Sequence, residues 1–235
     1  MKYTKRNDGR KFDESRKVEA KVGVVPNALG SAMLKIGKTV AVAAVYGPKE
    51  LFPKPLQNPL RGRLRCTYNM MAFSGAGDRV RPGPSRRSKE IALVTENALD
   101  PVLDLSAFPK TVIDVHIELI QTDAGTRCAG ISAASMALAD AGFRMKDMVA
   151  AVACGVVGGQ PLVDLDKFEE DYEGGSVDIP VAMMPRTGEI TLLQLDGEVD
   201  KKDLMKAVEM AKVGCMQIFE VQKAALKAKY EEAKK

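Results

Sequence analysis

Three short stretches hold residue types that can act on a phosphate. The first, Gln121-Thr-Asp-Ala-Gly-Thr-Arg127, joins an apolar run to a small-residue helix. Gly125 lets the backbone turn closely, and Thr126 offers a hydroxyl and an N–H. Arg127 offers a guanidinium at a helix start, where free N–H groups and the dipole already favour an anion. The composition suits a phosphate-sized pocket, although Gly-Thr also opens many helices that hold no ligand. The second, Pro84-Ser-Arg-Arg-Ser-Lys89, also precedes a helix. Adjacent Arg86 and Arg87 point in different directions, so one can grip a phosphate bidentately while the other holds a backbone phosphate of a polyanion. A solvated basic cap is the alternative. The third is the acidic stretch Glu169 to Pro180, in which Asp171 and Asp178 flank a turn. Two carboxylates brought together can share one proton or bind Mg²⁺. Either suits a departing oxygen that needs a proton or a cation, but acidic surface loops are also common.

Charge is distributed in keeping with these motifs. Lys49 to Lys89 carries ten Lys or Arg against Glu50 and Asp78, a stretch suited to a polyanion. Asp164 to Asp178 carries seven acids against Lys167, which suits carboxylate chemistry or a divalent metal. The only histidine, His116, falls in an apolar-rich strand pattern, which argues against Ser-His or Cys-His catalysis. Cys66, Cys128, Cys154 and Cys215 have neither zinc spacing nor a disulfide pattern and read as buried, reduced thiols. With no membrane-length apolar run and a charged Met1 to Ser15, the chain is expected to be soluble and cytoplasmic, with no membrane partner.

Elements of both kinds must position these residues. Strands are expected over Val18–Val25, a hairpin over Ser31–Tyr46 turning at Gly37-Lys38, and strands over Leu64–Phe73 and Thr111–Ile120. Further strands are expected over Met148–Val157, Pro161–Asp166, Val177–Met183 and Glu189–Leu195. Leu51 to Gly62 and Ser74–Ser88 read as loops. Helices are expected over Ser88–Leu105, ended or kinked by Pro101, over Ala129–Ala141, closed by Gly142, and over about 201–232. The last is amphipathic, with Leu204, Val208, Val213, Met216, Phe219 and Leu226 on one face. No linker divides the sequence, so a single α+β domain over 1–235 is expected.

Taken together, the three stretches resemble the RNase PH family. The order of parts is the same: an Arg-rich loop before a helix, a strand–DAG[ST]R–helix unit, then aspartates on a loop and a strand. Asp8-Gly-Arg10, Leu64-Arg-Cys-Thr-Tyr68, Ala134 to Gly142, Val181-Ala-Met-Met-Pro185 and Thr191-Leu-Leu-Gln-Leu195 fit as well, so the resemblance covers almost the whole chain. Within the family it points to catalytic ring subunits of archaeal exosomes. The resemblance implies an RNase PH fold of two β-α-β halves with ribosomal-protein-S5-like topology. It implies a 3′→5′ exoribonuclease that uses inorganic phosphate as co-substrate, releases nucleoside diphosphates and can run in reverse to add tails. Arg127, Thr126 and Gly125 would bind phosphate and Arg87 would close that site. Arg86 would contact RNA near its 3′ end, and Arg61, Arg63 and Arg65 would hold its backbone near the entry. Asp171 would donate or orient the proton for the departing 3′-oxygen, and Asp178 would support it directly or through Mg²⁺. The spacing between Asp171 and Asp178 carries an extra residue relative to the usual pattern, which leaves Glu170 and Glu173 as alternatives to Asp171. The implied partners are RNA, a sister RNase PH-type subunit without the catalytic set, three such pairs closing a hexameric ring, and caps with S1 and KH domains.

The alternative is a non-catalytic RNA-binding ring scaffold, which would lose Arg or Asp positions that this chain keeps. A bacterial-type homohexamer and a metal-dependent hydrolase fit less well: the first because of the short basic loop after Phe73 and the long charged C-terminal helix, the second because of the paired arginines. The basic stretch gives the first prediction. RNA affinity should fall steeply with salt, and removing Arg61, Arg63 and Arg65 together should flatten the slope of log affinity against log salt. An unchanged slope would show that the stretch faces solvent or a protein.

Overall fold

The computed structural model describes residues 3–81 and 83–232, and its elements are α+β as expected. Strands β1 (Val18–Val22), β2 (Gly30–Ile36), β3 (Thr39–Glu50), β4 (Arg63–Met70) and β5 (Thr111–Gln121) form one sheet in the order β1-β2-β3-β5-β4. β4 runs parallel to β5, and the connection between them contains helix α1 (Arg86–Leu99), a β-α-β unit. The other pairs in this sheet are antiparallel. Helix α2 (Thr126–Asp140) then leads to the second sheet. That sheet is antiparallel throughout, with β6 (Ala150–Val157), β7 (Gln160–Val163), β8 (Ser176–Met184) and β9 (Glu189–Leu193) in the order β7-β6-β8-β9. A single turn, α3 (Lys167–Glu170), sits between β7 and β8, and α4 (Lys201–Glu232) closes the chain.

The alternation read in β4 is strict: Leu64, Cys66 and Tyr68 enter the core while Arg63, Arg65 and Thr67 stay outside. On β5, Ile113, Val115, Ile117 and Leu119 point the same way. α2 lies against β2, β3 and β5 of the first sheet and against β6 and β8 of the second. Its run of Ala, Ser and Gly lets both sheets approach, and nearly every residue from Thr126 to Leu138 is buried. One apolar cluster therefore includes side chains of both sheets. All four cysteines are buried and unpaired, and no helix among the described residues is long and apolar enough to cross a membrane.

Several boundaries differ from the sequence reading. α1 starts at Arg86 because Ser85 caps it: the Ser85 side chain accepts from the Ser88 N–H (3.0 Å) and Ser88 Oγ accepts from the Ser85 N–H (2.7 Å). It stops at Leu99, and Pro101 falls in a separate 3₁₀ turn, Asp100–Val102. On α4, Val213 and Met216 do not join the buried face; they are 58% and 43% exposed. The helix sits instead on Ala207, Ala211 and Cys215 with Val208, Ile218 and Phe219, spaced by threes and fours. Small residues let its axis approach β6 and β7: a Cβ on Gly214 would lie 3.1 Å from Val163 and 3.4 Å from Val152.

The start of β2 meets the end of α2 at Gly30, where an added Cβ would fall 2.2 Å from the Ala141 nitrogen and 2.5 Å from the Ala137 oxygen. Gly30→Ala should therefore destabilise the protein by about 3 kcal/mol, since backbone on both sides cannot yield. Thermal or urea unfolding would measure it, with Gly9→Ala, in open space but at φ 81°, as a control for strain without overlap.

Candidate functional site

The connection between β5 and α2 departs from ordinary backbone. Ala124 and Gly125 both lie in the left-handed region, at φ 56° and 61°. Two side chains hold this turn. Thr39 Oγ1 donates to the Ala124 carbonyl (2.8 Å) and accepts from the Asp123 N–H (2.9 Å). The Arg16 guanidinium donates to the Asp123 carbonyl. Gly125 is the N-cap of α2 and offers no side chain, and no acid lies in the first turn. The leading N–H groups of a buried helix are thus left for an anion.

Arg16 also reaches the second sheet. Its Nε and Nη2 bond both oxygens of Asp164 (2.9 and 2.7 Å), and its own N–H bonds Asp164 as well (2.7 Å). Asp164 itself sits at φ 55°, a strained conformation for a non-glycine residue, immediately after β7. Two residues on, Asp166 caps α3, whose Glu169 points inward to a buried pair with Arg6. Arg6 Nε and Nη2 each lie 2.7 Å from a Glu169 oxygen, and the remaining guanidinium hydrogens go to the carbonyls of Lys11, Glu14, Val163 and Asp164. Tyr3 donates to the same carboxylate (3.0 Å).

That fixed turn sets what faces the cleft. A helix rotates about 100° per residue. With Glu169 inward, Glu170 turns to the cleft wall and Asp171 turns to solvent. Asp171 is 63% exposed and paired with Lys167 (2.8 Å), while Glu170 is 27% exposed. Asp171 therefore does not join Asp178, as the sequence reading expected; the carboxyl brought there is Glu170. Burial raises the Glu170 pKa, with the Lys167 ammonium, the Gly125 N–H and the Arg87 guanidinium pulling it back down. Burial pushes the Asp178 carboxyl up to about 6, helped by the negative charge of Glu170 and opposed by Arg127. Its Oδ1 is buried with no hydrogen-bond partner among the described residues.

These groups line one cleft of about 880 Å³. Gly125, Thr126, Arg127 and Arg87 are in its wall, as are Glu170 and Asp178. Arg127 donates to Gln194 Oε1, Gln194 donates in turn to Glu90 (3.1 Å), and Glu90 lies 3.9 Å from the Arg127 guanidinium. Arg86 is exposed on the first turn of α1 and outside the cleft wall. Arg61, Arg63 and Arg65 also lie outside it. Arg61 pairs with Asp100 (2.6 Å) and Arg65 binds Asp114 through two bonds (2.6 and 3.0 Å). His116 is exposed on the outer face of the first sheet, its Nδ1 2.7 Å from Thr67 Oγ1, away from the cleft.

Residues 14–144 match the 3′ exoribonuclease family, domain 1, and residues 147–214 match its domain 2. The chain belongs to the RNase PH family. It is 52% identical over 226 residues to "Exosome complex component Rrp41" of Thermococcus kodakarensis, covering 96% of this chain and 90% of that protein. The protein of the same name from Methanopyrus kandleri is 50% identical, over 96% of this chain and 93% of that one. Among solved structures, the Archaeoglobus fulgidus exosome with RNA bound to the active site aligns with a TM-score of 0.78 at 25% identity, covering 92% of each chain. Rice Rrp46 aligns at 0.83 and 23% identity, over 94% of this chain and all of that one, and shares the fold.

The raised Asp178 pKa has a consequence for stability. An acid whose folded pKa exceeds its unfolded value of 3.8 is destabilising when ionised. That penalty is absent below about pH 4, grows as pH rises towards 6 and is complete above it. Asp178→Asn should therefore stabilise the protein by about 1–3 kcal/mol at pH 7.5 and by much less at pH 4. Denaturant unfolding at the two pH values measures the difference, and an equal effect at both would mean that Asp178 is not buried as a charge.

Proposed function

We propose that this chain is the active subunit of an exosome ring and shortens RNA from its 3′ end with inorganic phosphate as the attacking group. The observation that carries the reading is the pairing, within one cleft, of an uncapped buried helix start flanked by Arg87 and Arg127 with two carboxyls of raised pKa, Glu170 and Asp178. The names borne by the archaeal relatives support it.

Phosphate is held by Arg127 and Arg87, by the Thr126 hydroxyl and by the N–H groups that follow Gly125. One of its oxygens attacks the terminal phosphodiester, and the bond from phosphorus to the penultimate 3′-oxygen breaks. Negative charge spreads over the phosphoryl oxygens, where the two guanidinium groups stabilise it. The departing 3′-oxygen takes a proton from the Glu170–Asp178 pair, and a nucleoside diphosphate leaves. A pKa of about 6 keeps a fraction of Asp178 protonated near neutral pH. Because the two carboxyls influence each other, the proton belongs to the pair. Glu170 and Asp178 are the residues that would hold a Mg²⁺, and such an ion would supply positive charge to the leaving oxygen. The reverse reaction adds tails from diphosphates.

RNA reaches the cleft past Arg86 and past Arg61, Arg63 and Arg65. Asp100 and Asp114 already neutralise two of these, so among the described residues Arg63 is the member of the trio with no ion pair. In this reading the chain alternates with a sister RNase PH-type subunit in a six-membered ring, with S1- and KH-domain caps above the pore, in the cytoplasm.

RNA shortening should require phosphate and release nucleoside diphosphates; monophosphates formed at the same rate in phosphate-free buffer would replace phosphorolysis with hydrolysis. Arg127→Ala should lower turnover about 10²-fold or more. Glu170→Gln should do comparable damage, while Asp171→Asn should stay within a few-fold of the unaltered chain. The reverse order of those two variants, assayed with and without the ring partner, would return the proton to Asp171.

A further inference from the structure

Fifteen large apolar side chains are exposed among the described residues, and of these Phe73 and Phe168 alone line the cleft. Each is 72% exposed. Burial would favour a phenyl ring strongly, so a chain that leaves two of them in a charged cleft must hold them there. The backbone around each does so. Phe168 follows Lys167 on α3, and α3 cannot roll to bury it without withdrawing Glu169 from Arg6. Phe73 occupies the turn after β4 that the Ser74 N–H closes onto the Met71 carbonyl (2.9 Å). The Ser74 carbonyl in turn accepts from the N–H and hydroxyl of Thr122 (2.9 and 3.1 Å), at the edge of the anion-binding loop. Both rings are therefore tied, through short hydrogen-bonded paths, to the segments that carry the phosphate and carboxyl groups.

The surroundings suit a flat ligand that carries charge. Gly75 and Gly77, beside Phe73 in the wall, leave room: a Cβ added at Gly77 would meet nothing within 4 Å, and one at Gly75 would come no closer than 3.9 Å to Val80. Lys38 and Lys167 add ammonium groups to the same wall. A π-face next to cations and an anion site is the arrangement that accepts a nucleotide, with its base on the ring and its phosphate on the charges. We infer that Phe73 and Phe168 are stacking shelves for nucleobases at the 3′ end of RNA in this cleft, an inference that rests on the proposed function. A phenyl ring offers the base no hydrogen bond, so the shelves grip purines and pyrimidines alike and hold successive 3′ ends without reading their sequence.

The sequence has no tryptophan, so Phe168→Trp places a single fluorescent ring on the shelf. Binding is measured on the full chain without phosphate, which separates it from the reaction class. The probes are an oligoadenylate and the same oligomer with abasic sugars at its last two positions. Indole fluorescence should be quenched by the first and unchanged by the second. Phe168→Ala and Phe73→Ala should each weaken oligoadenylate binding about tenfold and leave the abasic oligomer unaffected, while Phe168→Tyr should bind as the unaltered chain does. Equal losses for both oligomers, or no loss from either ring, would overturn the inference. If neither oligomer bound at all, the RNA reading itself would fail and take the shelves with it. Monophosphate products alongside base-dependent binding would remove phosphorolysis and keep the shelves.

Discussion

The buried pair between Arg16 and Asp164 holds the cleft together. It joins the N-terminal segment to the residue that leaves β7, and the same guanidinium grips the carbonyl of Asp123 in the turn before α2. One arm ends on Asp123, next to Ala124, and the other on Asp164; Ala124 and Asp164 both have left-handed backbone. Strain of this kind persists only where surroundings over-determine it. Desolvating an ion pair is expensive, and the cost is offset here by bidentate geometry and by hydrogen bonds to the remaining donors. Apolar residues of similar volume in place of the pair would fill the same space, but they would release the two turns whose separation defines the cleft.

Within that frame, charge is arranged by sign. Guanidinium groups gather at the start of α2, where the helix dipole adds to them. Carboxyls gather on α3 and β8, in a part of the wall where burial makes ionisation costly. The guanidinium groups oppose the upward shift of the two carboxyls without cancelling it, so a proton can stay close to the positive charge. Arg127 illustrates the balance: with Gln194 and Glu90 as neighbours, its guanidinium is oriented before any ligand arrives.

The sequence revealed the local parts of this site and missed the long-range ones. Gly125-Thr126-Arg127 was readable because a strand, a glycine and a helix start lie within seven residues, and the Arg86-Arg87 helix start was readable for the same reason. Strand alternation in β4 and β5 located the first sheet. What could not be read was rotation about the α3 turn. Choosing between Glu170 and Asp171 depends on where Glu169 points, and that depends on Arg6, 163 residues away. The role of Arg16 was hidden likewise, since its partner lies 148 residues on. The extra residue before Asp178 was the one available signal, and it raised the question without answering it. On α4 small side chains, rather than the large ones that stand out in the sequence, decide which stripe can approach β6.

The cleft draws its wall from Lys38, from the end of β4, from the start of α2 and from α3 and β8, so no contiguous portion of the chain contains it. The brace begins at Arg6 and Arg16 and closes on residues beyond 160, and α2 is buried only once the second sheet has covered it. Contacts of such sequence separation form late, after loop-closure entropy has been overcome. A partly synthesised or partly folded chain therefore has its arginines but not the opposing carboxyls. In the proposed mechanism such a chain would attract RNA without cutting it, because the cleft is complete only once α3 and β8 have packed beside the start of α2.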